Sequence, residues 1–189
     1  MADISQARLL GGVGSVMLFL SIVPSIGFVL SIVGFILVLL ALKYISEAVQ
    51  QGEIFRNALI ATVVGIVGAV AGVVAGGVGL LAVLGGGAGP SVPNFGLLLT
   101  TILISLAVVW VFAVVSSFFL RKSLNLVGDT LGIKMFRTAG LLLFIGALLT
   151  IVLVGALVAL VAYILLAVAF FQIQPGAGAP SPPPPPPPP

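Results

Sequence analysis

LLGGVGSVMLFLSIVPSIGFVLSIVGFILVLLAL, residues 9–42, contains no Asp, Glu, Lys or Arg. As one straight helix it would measure about 51 Å at 1.5 Å per residue. The hydrocarbon core of a bilayer is about 30 Å thick. Ordinary tilt absorbs only part of that excess, so the segment is expected to fold back on itself. Pro24 marks the place, with Ser25 beside it and Gly27 following. Proline removes a backbone donor and crowds the preceding turn, and it drives the residue before it out of the helical region. The reading is a hairpin of two short helices, residues 9–23 and 25–45. Arg8 and the apolar run behind it resemble the start of a secretory leader. The run continues past Pro24 and Asp3 precedes it, so the segment is read as part of the bundle.

Three more stretches are equally free of charge: residues 58–85, 96–120 and 138–171. The last poses the same length problem as the first, and its break candidate is Gly155, with Thr150 upstream. The two middle stretches each suit one helix. Between them lies GGGAGPSVPNF, residues 85–95, a loop by its Gly and Pro content. The expected fold is an all-α polytopic transmembrane bundle of six helices, two short-helix hairpins flanking two single spans.

Composition agrees. Hydrophobic residues make up 61% of the chain and charged residues 6%, whereas a soluble domain carries about 25% charge. Cys and His are both absent. That removes thiol nucleophiles, disulfides, the usual zinc ligand sets and the usual proton shuttle. No catalytic, cofactor-binding or metal-ligating constellation is found, and no cofactor is expected. An enzyme is disfavoured for want of a nucleophile or base at depth. Intramembrane carboxylates or cations, the usual marks of ion coupling, are likewise missing from the spans.

The basic residues are Arg8, Lys43, Arg56, Arg121, Lys122, Lys134 and Arg137. With six spans all seven fall on one face of the membrane. The positive-inside rule then puts both termini and both charged loops in the cytoplasm of a cell (cytoplasmic) membrane. The small net charge of +3, spread along span ends, gives no nucleic-acid footprint. The two charged loops share a pattern. Each opens on a basic residue, carries apolar residues at helical spacing (Ile45, Ala48 and Val49; Leu124, Val127 and Leu131), and re-enters through Phe-Arg-x-Ala. These loops are expected to lie as interfacial amphipathic segments. Lys43, Phe55, Arg56, Arg121, Lys122, Phe136 and Arg137 would anchor the headgroup boundary.

Residues 58–85 carry Gly65, Gly68, Gly72 and Gly76, a small-residue stripe of glycine-zipper type that lets a second helix approach closely. Packing within the chain is the first expectation, and homo-oligomer contact is the second. After Gln174 the chain becomes Pro-Gly-Ala-Gly-Ala-Pro-Ser and ends in eight prolines, Pro182–Pro189. This tail, residues 174–189, is expected to be disordered outside the helical domain of residues 1–173. Its prolines form a polyproline rod that a proline-recognising partner could read.

Several segments together resemble a family of archaeal and some bacterial integral membrane proteins of unknown function. They are Pro24-Ser25-Ile26-Gly27, residues 39–46, Ile54-Phe55-Arg56-Asn57-Ala58-Leu59, residues 121–126, Phe136-Arg137-Thr138-Ala139-Gly140 and residues 167–171. The resemblance covers about Arg8 to Gln172 and implies a prokaryotic cytoplasmic membrane protein. It carries no activity and no site residues. The function expected is non-enzymatic, exercised by packing with lipid or protein partners. The alternative is a small-solute carrier or channel built from the paired broken hairpins.

Overall fold

A computed structural model describes residues 4–23, 25–85, 95–152 and 154–174. All regular structure among them is helical: α1 (Ile4–Leu20), α2 (Gly27–Ala48), α3 (Gly52–Gly85), α4 (Phe95–Leu131), α5 (Lys134–Leu149) and α6 (Val154–Phe171), with a short 3-10 turn at Thr150–Val152 before α6. Five of the six are long and apolar enough to cross a membrane, and α1 is the shorter apolar helix. Each helix packs on its neighbour in sequence, and α6 returns to α1 to close the ring. This is the six-helix bundle of two hairpins and two long spans.

The core sits at one end. Ile4 and Ala7 of α1, Leu42 and Ile45 of α2, Ile54 and Ala58 of α3, Leu124 and Val127 of α4, Phe136 of α5 and Phe170 of α6 are all buried in one cluster. These residues lie at the ends of the helices that carry the charges, so the charged end is also the best-packed end. Farther along, large apolar side chains on every helix are exposed, among them Phe28, Val73, Leu103 and Leu157. Apolar surface of that extent has lipid as its natural solvent.

The helices run farther than the charge pattern suggested. The expected interfacial segments are the ends of α2 and α4, which continue past Lys43 and Arg121 without a break. Their apolar faces turn into the bundle: Ile45, Leu124 and Val127 are fully buried. Burial in the shared core satisfies those side chains better than a headgroup layer would. Each extension then closes on a left-handed residue, Gln50 at φ 55° and Gly132 at φ 70°. At the first, Gln51 N–H donates to the Ser46 carbonyl at 3.0 Å and Gln50 N–H to that of Glu47 at 3.4 Å. This is the paired bonding of a Schellman stop.

Both hairpins turn near the expected residues. The first turns between Leu20 and Gly27, and Pro24 lies outside the described residues. The second turns at the 3-10 segment, so Gly155 falls in the first turn of α6 rather than at the break itself. There it lies against the Gly146 carbonyl and the Thr150 N–H, where a side chain would not fit. The tail, residues 175–189, and most of the loop between α3 and α4 also lie outside the described residues.

Candidate functional site

Three features could carry function: the charged end, the α3–α4 seam and a cavity between the helices. The charged end is built from short-range pairs. Lys43 Nζ lies 3.8 Å from Glu47, Arg56 lies 3.1 Å from Glu53 and Arg137 lies 3.3 Å from Asp129. All six side chains are about half exposed or more, so these pairs contribute little to stability. The Arg121 guanidinium lies 5.5 Å from the Phe144 ring centre. Its stem is therefore laid along α5 rather than extended away from the bundle.

Among the expected anchors, Lys43, Arg56, Lys122 and Arg137 are exposed, and Phe55 and Arg121 are half-buried. Phe136 is a correction. It is fully buried, edge-on against Phe170, and belongs to the core. The helical phase explains it: Phe136, Ala139, Gly140 and Leu143 make one buried stripe on α5. The companion motif behaves differently, because on α3 the buried residue is Ile54 and Phe55 is turned half outward.

The α3–α4 seam combines small residues with hydrogen bonds. Gly68 faces Phe112 and Gly72 faces Val109, while Gly65 lies 3.3 Å and Gly76 lies 3.4 Å from the Ser116 and Ser105 hydroxyls, measured from where a Cβ would stand. The sequence signal named these glycines but not their partners. Below them, Ser116 Oγ donates to the Ala61 carbonyl at 2.7 Å and Ser123 Oγ to the Ile54 carbonyl at 2.8 Å. The donors are two turns apart on α4 and the acceptors two turns apart on α3, so both bonds fall on a single seam. A hydroxyl in an apolar helix commonly bonds back to a carbonyl of its own helix. Ser15, Thr62, Ser105 and Thr150 do so; Ser116 and Ser123 do not.

A cavity of about 340 Å³ opens among α2 to α6. Its wall includes Phe35, Val109, Ser116, Ser117, Thr150 and Tyr163. The Ser116, Ser117 and Thr150 hydroxyls already donate to backbone carbonyls. No group of three or more His, Cys, Asp or Glu able to hold a metal ion occurs among the described residues.

Comparison with known proteins places the chain. Residues 30–164, from within α2 into α6, match a family model described as a protein of unknown function, DUF996. The uncharacterized protein MJ1644 of Methanocaldococcus jannaschii is 33% identical over 173 residues, which is 90% of this chain and 93% of that protein. No solved structure matches.

Proposed function

Since the chain belongs to the DUF996 family of unknown function, we propose its role from its geometry: a non-enzymatic membrane protein that acts by packing with lipid or with partner proteins. The observation that carries this reading is the division of the bundle. Side chains are tightly buried at the charged end, and uncovered apolar surface surrounds the rest. The Ser116, Ser117 and Thr150 hydroxyls on the cavity wall are spent on carbonyls. Under the positive-inside rule the charged end faces the cytoplasm. The proline tail would emerge on the same side, where a proline-recognising partner could take it.

A second reading rests on the cavity. A carrier or channel would use the space where both hairpins meet α3 and α4, with Ser116, Ser117, Thr150 and Tyr163 on its wall. Flux of a panel of ions and small solutes through proteoliposomes separates the two readings. Background flux is expected. Saturable transport, lost in Tyr163→Ala, would establish the carrier and remove the first reading.

A further inference from the structure

The six helices reach different depths. On α4, the uncharged stretch from Gly96 to Leu120 is about 36 Å long, and on α3 that from Ala58 to Gly85 is about 41 Å. Both exceed the hydrocarbon core of about 30 Å. The hairpins do not. From Leu9 to the end of α1 at Leu20 is about 17 Å, and from the start of α2 at Gly27 to Leu42 is about 23 Å.

Contacts fix the level of the second hairpin independently. Near the base of α5, Gly140 is seated against Arg121. Near its tip, Trp110 Nε1 donates to the Leu148 carbonyl at 3.3 Å. Trp110 lies about 15 Å along α4 from Leu120, the last uncharged residue before Arg121. The tip therefore meets α4 near the bilayer midplane, with about another 22 Å of α4 continuing to Phe95. Along that continuation, the described side chains of α4 from Gly96 to Val109 are exposed or only half-buried.

The tips have the chemistry of lipid-immersed turns. Ile22 and Val152 are both 62% exposed, with Ile26 and Ile151 beside them more than half exposed. A turn in water would be polar. The backbone around the first tip is also bonded within itself: Ser21 N–H to Leu18, Val23 N–H to Leu20 and Gly27 N–H to Val23. Hydrocarbon demands such closure of a turning chain.

We propose that the protein is a bilayer wedge. Two re-entrant hairpins and the α3–α4 pair fill the charged side of the bilayer, the hairpins turn back inside the hydrocarbon, and only α3 and α4 continue to the opposite surface. Six helices on the charged side against two at the opposite surface expand the charged side, so the bundle favours membranes convex on that side. This names lipid as the partner in the reading above and rests on that reading only there.

The test uses the full chain, which has no native Cys, with a single Cys placed at position 22, 152, 90 or 178. An impermeant maleimide is applied to sealed membranes of each orientation. Position 90 is expected to label from one side and position 178 from the other, with Ile22→Cys and Val152→Cys labelling only after detergent. A tip that labels from either side, or that stays unreactive in detergent, overturns the wedge. In parallel, vesicles reconstituted at rising protein-to-lipid ratio are expected to shrink in mean radius. An unchanged radius would overturn the curvature. Solute flux in the same vesicles would remove the packing role and leave the wedge standing.

Discussion

Phe136 and Phe170 meet edge to face, ring centres 5.0 Å apart and planes at 88°, where α5 packs on α6 and α6 on α1. Both are fully buried. Gly11 of α1 lies so close to the Phe170 ring that even a methyl group would strike it. This contact ties the second hairpin to the first and closes the ring of helices. Phe136→Ala is expected to cost about 3–5 kcal/mol through the cavity left behind. A double-mutant cycle with Phe170→Ala should return a coupling of about 0.5–1.5 kcal/mol for the ring pair. Reversible unfolding in mixed detergent micelles measures both, and additive single effects would show that the rings act independently.

Gly72→Leu should lower thermal stability in detergent by about 1 kcal/mol or more, because its side chain would be driven into Val109. Gly77, one residue past the stripe, has open space where a Cβ would stand. Gly77→Leu is the matched control and should melt near the parent. Equal melting of the two variants would show that close approach along this seam contributes nothing.

Ser123→Ala removes a buried bond between helices and should destabilise by about 0.5–1.5 kcal/mol. Ser117→Ala removes a bond within one helical turn and should change stability by a few tenths at most. Arg137→Ala should also fall under about 1 kcal/mol, since its Asp129 pair is exposed on both sides. The ordering Ser123, then Arg137 and Ser117, is the measurable outcome.

Gln50→Gly should stabilise the protein by about 0.5–1 kcal/mol. The Gln50 backbone is left-handed, which costs an ordinary residue roughly 1–2 kcal/mol and glycine little. Greater freedom of glycine in the unfolded chain offsets part of the gain. A lower melting temperature in Gln50→Gly would mean that its side chain contributes more than its backbone strain costs.

Much of the fold was legible because hydrocarbon admits few solutions. A charge-free run too long for one span must turn, and Pro24 and Gly155 stand close to the two turns. The charged segments misled for a physical reason. Near a membrane boundary, an apolar stripe interrupted by basic residues fits both a helix lying on lipid and a helix end packed against others. The stripe of Phe136, Ala139, Gly140 and Leu143 was present in the sequence, yet nothing there said which surface it would meet. The partners of Ser116 and Ser123 were equally hidden, because a serine in an apolar helix has a carbonyl within reach on its own helix and on its neighbour. Gly132 follows the usual chemistry of a helix stop, whereas Gln50 gives no such signal.

Trp110 is the chain's one tryptophan, and its indole N–H is bonded to the Leu148 carbonyl beside the second hairpin's turn. The protein thus carries its own optical reporter at the joint between α4 and that hairpin. Indole emission shifts with the polarity and hydrogen bonding around the ring. Any lipid, partner or substitution that lifts the hairpin from α4 would therefore register in the native fluorescence, without an added dye.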